Sequence, residues 1–209
     1  MYKKIILILL SFLLVGCGTN INKMSLEEII DDAIVGNNSY INVNGRGYKY
    51  YLPSEFIVYE DKDYIQTLLS KNTMYYLNID IVSYFYKNKI ETKHELDDFE
   101  YYTFNYKDKD GYLRITKNKE KFLVELCYNY AIIEVEVEEN ELRYAISRGI
   151  AILNSIQYND LVIEKYIVDN NIENSETVYK IPQPENKESN KNVLEYIEEN
   201  VVENADDLD

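Results

Sequence analysis

Histidine occurs once in this 209-residue chain, at position 94, and that scarcity sets the first limit on its chemistry. A Ser/His/Asp or Cys/His arrangement has no other imidazole to act as general base, and a zinc site lacks its usual nitrogen ligands. His94 falls in a charged stretch and reads as a solvated loop residue. Of the two cysteines, Cys127 lies where Phe122, Val124, Leu126 and Tyr128 alternate with Leu123, Glu125, Cys127 and Asn129. It reads as a small side chain on one sheet face, since no cationic neighbour is evident to lower its thiol pKa. Acidic residues pair near turns at Asp61 and Asp63, Asp97 and Asp98, and Asp108 and Asp110. The run after Asp108 lacks the oxygen ligands that an EF-hand needs at fixed intervals, so these pairs read as turn-solvating. A glycosidase requires two carboxylates about 5–9.5 Å apart in a cleft, and among 37 acidic residues the sequence singles out no pair. No catalytic residue, metal ligand or cofactor is assigned.

Tyrosine is the most prominent of the remaining side chains, with 22 copies and no tryptophan, a usage that AT-rich coding would also produce. Adjacent tyrosines stand at 50 and 51, 75 and 76, and 101 and 102. Consecutive strand residues point to opposite faces, so one of each pair is expected inward and the other more accessible. If the accessible members line up, they form an aromatic strip suited to stacking on sugars or gripping a peptide; if a helix covers that face, they are core. Which tyrosines contact a ligand is left unassigned.

Cys17 belongs to a different pattern. Lys3 and Lys4 precede an apolar stretch from Ile5 to Val15, broken only by Ser11, and then come Gly16 and Cys17. A basic start, an apolar middle and a small residue make an export signal. The stretch is about half the ~20 apolar residues that a membrane-spanning helix needs. Leu14-Val15-Gly16-Cys17 resembles the lipobox of bacterial lipoproteins, which implies cleavage between Gly16 and Cys17 and a diacylglycerol group on the Cys17 sulfur. Two acyl chains, at about 0.8 kcal/mol per buried CH₂, suffice for stable anchoring. The resemblance places the mature chain on the extracytoplasmic face of the cell membrane.

Loss of residues 1–16 removes Lys3 and Lys4, so the formal charge of −15 becomes −17. Such a surface repels phosphate backbones and anionic head groups. Nucleic acid is excluded as a partner, and a cationic or neutral protein or glycan of the envelope is favoured. With Cys17 lipidated, Cys127 is left without an intramolecular disulfide partner.

Positioning these residues falls to a small set of elements. Residues 17–24 form a short polar tether. Ser25 with Glu28 makes a capping box for a helix carrying Leu26, Ile29, Ile30, Ala33 and Ile34 on one face and ending at Gly36. Tyr48–Leu52, halted by Pro53, and Phe56–Tyr59 read as a hairpin, followed by strands over Tyr64–Leu69 and Met74–Tyr86. Residues 88–97 read as a loop or short helix. Four antiparallel strands are expected over Phe99–Tyr106, Tyr112–Lys117, Lys121–Tyr128 and Tyr130–Val137, with turns at Lys107–Gly111 and Asn118–Lys119. A long helix over 139–157 carries Leu142, Ala145, Ile146, Gly149, Ile150, Leu153 and Ile156 as a stripe that must cover a sheet face. Leu161–Val168 reads as a last strand. Beyond Pro182 and Pro184, residues 182–209 read as an acidic, partly disordered tail with a short amphipathic helix on Val193, Leu194, Ile197 and Val201.

These elements predict a single α+β domain over 25–181, an antiparallel sheet flanked by an N-terminal helix and a long helix near 139–157. The run Tyr48-Lys49-Tyr50-Tyr51-Leu52-Pro53-Ser54-Glu55-Phe56, with the strands and closing helix after it, resembles the PsbP-like superfamily over residues 47–157. That resemblance implies an α/β/α sandwich and a binding or assembly-accessory role. The expected function is a membrane-anchored, non-catalytic binding module. The alternatives are a carboxylate-dependent cell-wall or carbohydrate-active enzyme, and a structural partner of a membrane complex that docks through the tail from Glu185.

Overall fold

The computed structural model describes residues 20–36, 40–90 and 98–174. The expected signal peptide 1–16, Cys17, His94, Asp97 and the expected tail 182–209 lie outside the described residues.

Helix α1 (Leu26–Val35) begins as the sequence predicts. Glu28 N–H donates to Ser25 Oγ at 3.2 Å, and Ser25 N–H donates to Glu28 Oε2 at 2.8 Å. Two orphan donors of the first turn are thereby satisfied, and the helix ends at Gly36, whose N–H donates to Asp32 O. Its apolar stripe, Ile29, Ile30 and Ile34, is buried.

A small antiparallel sheet follows, made of β1 (Val43–Gly45), β2 (Tyr48–Tyr50) and the distant β10 (Gln157–Tyr158), in the order β1-β2-β10. The expected hairpin between Tyr48–Leu52 and Phe56–Tyr59 does not form. Its first half pairs instead with β1 and β10, through a turn in which Gly47 takes φ +80°, a value that favours glycine. The second half extends into β3 (Phe56–Lys62) and pairs with β4 (Ile65–Ser70).

The main sheet adds β5 (Thr73–Ile79), β6 (Asp98–Tyr106), β7 (Lys109–Asn118), β8 (Lys121–Tyr128) and β9 (Ala131–Val137). Its order is β3-β4-β5-β9-β8-β7-β6, and every neighbour is antiparallel. Two meanders thus join along β5 and β9. The β6–β7 turn is shorter than the expected Lys107–Gly111. Lys107 and Asp108 both take left-handed backbone, at φ 50° and 60°, and the strand resumes at Lys109. The β8–β9 turn at Asn129 and Tyr130 has the same form, with φ 54° and 60°. Two consecutive left-handed residues make the tight hairpin turn that matches the strand twist.

Two expected strands are corrected. Met74–Tyr86 is not continuous: the strand stops at Ile79, and Asp80 Oδ1 accepts from Ser83 N–H at 2.8 Å to start the short helix α2 (Ile81–Tyr86). Leu161–Val168, rich in β-branched residues, lies within helix α4 (Asp160–Asp169). Asn159 Oδ1 caps it by accepting from Val162 N–H at 3.3 Å, and Ile163 and Ile167, one turn apart, are buried. Capping and i,i+4 burial here override strand propensity.

The long helix α3 (Leu142–Ser155), entered through a single 3₁₀ turn at Glu139–Glu141, covers the sheet as expected. Its stripe packs on β8 and β9, while α1 packs on α3. One hydrophobic cluster runs from Ile29 to Ile167. The Tyr50 hydroxyl donates to Gln66 Oε1 at 2.7 Å inside it, tying the small sheet to the main one. The fold class is α+β with an antiparallel main sheet.

Candidate functional site

Register decides which side chains share a face. Leu77, Ile133, Leu126 and Leu113 stand opposite one another across β5, β9, β8 and β7, and all are fully buried. This is the face that α3 covers, because a Cβ on Gly149 would overlap Leu126 and touch Ile133. One residue along each strand, the side chains point to the second face.

On that second face a polar row crosses the sheet. Thr67, Tyr76, Glu134, Glu125, Arg114 and Tyr101 are consecutive cross-strand partners from β4 to β6. Beside it, Asn78, Ile132, Cys127, Tyr112 and Thr103 form the next row. The two-residue turn at Asn129 and Tyr130 pairs Tyr128 with Ala131 and so, three residues back along each strand, Glu125 with Glu134. The β7–β8 hairpin sets Arg114 opposite Glu125 in the same manner.

The centre of the row is a carboxylate pair. Glu125 and Glu134 face each other directly across β8 and β9, and a hydrogen bond between their carboxyls, which requires a proton on one of them, contributes to raising the Glu134 pKa. Burial pushes the Glu134 carboxyl up to about 7, the negative charge of Glu125 and the bond between them push the same way, and Arg114 opposes. Two like charges at this separation cannot both ionise freely. Glu125 is held by further donors. The Tyr112 hydroxyl donates to its Oε1 at 2.5 Å, and Arg114 Nη1 lies 3.7 Å from its Oε2. Arg114 Nε also lies 3.6 Å from Asp98 Oδ1. The Glu125 side chain is 16% exposed and that of Asp98 2%, so the charges are far from freely solvated. The Tyr112 phenol is pushed up beyond its ordinary range, by burial first, with the negative charge of Glu125 and the hydrogen bond to it adding to the rise. Tyr101 stacks on Tyr112, centroids 6.2 Å apart.

Two of the three tyrosine pairs divide as expected into a buried and a more accessible member, and the third does not. Tyr50 and Tyr75 are buried, and Tyr51 and Tyr76 are half-buried. Tyr101 and Tyr102 are both half-buried, on opposite faces. Tyr76 and Tyr101 fall in the row just described, separated by Glu134, Glu125 and Arg114, whereas Tyr51 follows a strand of the small sheet. The expected strip therefore has two of its members in one line, with acids between them.

Cys127 is buried on the second face, and burial drives its thiol far above the ordinary range. Asp61, Asp63, Asp108 and Asp110 are exposed, and Asp110 Oδ1 accepts from Asn105 Nδ2 at 2.9 Å. Among the described residues, no group of three or more acids, histidines and cysteines is placed to hold a metal. A cavity of about 180 Å³ lies elsewhere, at the C-terminal ends of α1 and α3, lined by Lys107, Lys109, Tyr128, Asn154, Ser155 and Gln157. It is smaller than the ~300–1,000 Å³ of ordinary ligand pockets and opens on the face opposite the carboxylates.

Sequence reasoning missed Glu125 and Glu134. The signal was present in the tight turn at Asn129 and Tyr130, from which the register can be counted. In comparison with known proteins, no family model and no curated protein matches the chain.

Proposed function

We propose that this chain is a lipid-anchored, extracytoplasmic binding or accessory module, non-catalytic, whose recognition surface is the second face of the main sheet. The observation that carries this reading is the row Tyr76, Glu134, Glu125, Arg114 and Tyr101. Partly buried charges cost desolvation energy that an apolar row would not, and for stability alone threonine or valine would serve this face better. A row of acids flanked by aromatic rings suits a cationic or polyhydroxylated group, with the rings supplying stacking and the acids hydrogen bonds. The net negative charge favours the same partners, a basic peptide segment or a glycan of the envelope.

The anchor rests on Leu14-Val15-Gly16-Cys17 and the apolar stretch before it. The PsbP-like resemblance of residues 47–157 points the same way, toward an assembly-accessory role. Affinity capture from the native membrane tests the reading, with Cys17→Ala as the unanchored control and the double variant Tyr76→Ala/Tyr101→Ala as the control for the face. A partner or glycan held by the parent protein and lost with the two tyrosines is the expected result. Equal capture by the double variant removes the second face as the recognition surface.

A carboxylate-dependent hydrolase is the second reading, because a carboxyl that is still protonated near neutral pH is what a general acid needs. Against it stands the separation. Glu125 and Glu134 are directly opposed on neighbouring strands, which sets their Cβ atoms about 4.5–5.5 Å apart and their carboxyls side by side, whereas glycosidase carboxyls stand about 5–9.5 Å apart across a cleft. Turnover of a wall-derived glycan by the purified protein, abolished by Glu134→Gln, would establish the enzyme and end the first reading.

A further inference from the structure

We infer that Glu125 and Glu134 form a proton switch in the middle of the second sheet face: one proton shared between them closes the line Arg114, Glu125, Glu134, and its loss parts the carboxyls and adds a negative charge to that face.

Geometry makes the pair obligatory. The backbone ladder of β8 and β9 holds residue 125 opposite residue 134, and directly opposed residues on adjacent strands have Cβ atoms only about 4.5–5.5 Å apart. Two glutamates fixed in this way either share a proton or repel. In the protonated state Glu134 donates and Glu125 accepts, and Glu125 simultaneously takes the Tyr112 hydroxyl at 2.5 Å. With Tyr112 and Arg114 on its far side, Glu125 is the better-stabilised anion and Glu134 the site that keeps the proton.

The charged and titratable groups around the pair come from four strands. From β7 come Arg114 and Tyr112, from β5 comes Tyr76 opposite Glu134, from β6 come Asp98 and Tyr101 beyond Arg114, and from β9 itself comes Glu136 in the next row. Arg114 is shared between Glu125 at 3.7 Å and Asp98 at 3.6 Å, so it cannot neutralise a second carboxylate at full strength. Cys127, also on this face, has a thiol pushed well out of the neutral range and contributes no charge.

The step is a simple ionisation. The Glu134 carboxyl releases its proton to solvent, the hydrogen bond to Glu125 is lost, and the face gains one negative charge with no change in covalent structure. Because the backbone ladder persists, the change is confined to side chains. The transition lies near neutral pH, consistent with the Glu134 carboxyl at about 7. The switch belongs to the protein alone and does not depend on the binding role proposed above.

Carbon-13 NMR of glutamate side-chain carboxyls, in the mature full-length chain with Cys17→Ala, tests it without any ligand. The expected spectra contain one carboxyl with a midpoint near 7 and a second that moves at the same midpoint. Glu134→Gln abolishes that transition, and Glu125→Gln lowers the remaining midpoint toward the ordinary range. Should Glu125→Gln fail to fold, the shared midpoint in the parent protein decides the matter. Carboxyls that all titrate below about 5, as unperturbed glutamates do, would overturn the inference. So would a midpoint near 7 that is unmoved by Glu125→Gln in a folded protein.

Discussion

Gly149 of α3 lies directly against the side chain of Leu126 in β8, with no room for a Cβ between helix and sheet. Leu126 is fully buried and has nowhere to withdraw. The contact sets how closely the long helix approaches the sheet and therefore which face is left for the polar row.

Gly149→Ala should destabilise the protein, although alanine is the better helix former by about 1 kcal/mol. Overpacking a filled core costs about 1–3 kcal/mol, so a net loss on the order of 1 kcal/mol is expected. Urea denaturation of the parent and variant measures it; a gain in stability would mean that the helix does not sit this close.

Lys119→Gly should act in the opposite direction. Lys119 is exposed in the β7–β8 turn with φ 57°, where a Cβ is strained by about 1–2 kcal/mol. Removing that strain, less the entropy glycine gains on unfolding, should raise stability by up to about 1 kcal/mol. The same denaturation experiment reads it.

Much of the fold is legible in the sequence where one local signal agrees with another. Ser25 with Glu28 fixes the start of α1, and the stripe from Leu142 to Ile156 identifies α3. Legibility fails where a capping side chain competes with β-propensity. Asp80 turns the chain into α2 after Ile79, and Asn159 starts α4 in a segment of valine and isoleucine. It also fails for pairings of high sequence separation: nothing near Tyr48 announces that its strand will pair with Tyr158. The candidate site was hidden for a related reason. Glu125 and Glu134 are ordinary outward residues of alternating strands until the register of the Asn129 and Tyr130 turn sets them face to face.

Stability should fall as pH rises through neutrality, by an amount that depends on Glu134. Its carboxyl is raised from about 4.5 to about 7 on folding, so the folded state binds the proton more tightly. The contribution is fully present below about 4.5 and is lost as pH passes about 7. For a partly exposed pair, solvent screening reduces it to on the order of 1–2 kcal/mol. Denaturation midpoints between pH 5 and 8 measure it, and Glu134→Gln should flatten the curve in that window.

Cys127 should be inert in the folded protein. It is buried, and its thiol is driven up by burial first and by the charges of Glu125 and Asp80, while reaction requires the thiolate. With Cys17→Ala in place, a thiol reagent at pH 8 should label Cys127 only after unfolding. Prompt labelling under native conditions would show that the second face opens at β8.

The recognition face is tested most directly by site-specific photocrosslinking in the native membrane. A photoreactive amino acid replaces Tyr76 in one version of the full-length chain and Tyr40, which is 71% exposed and precedes the small sheet, in another. Crosslinks to an envelope component from position 76 and none from position 40 are the predicted result. No adduct at position 76, or equal adducts at both positions, would contradict the assignment of the second sheet face as the binding surface.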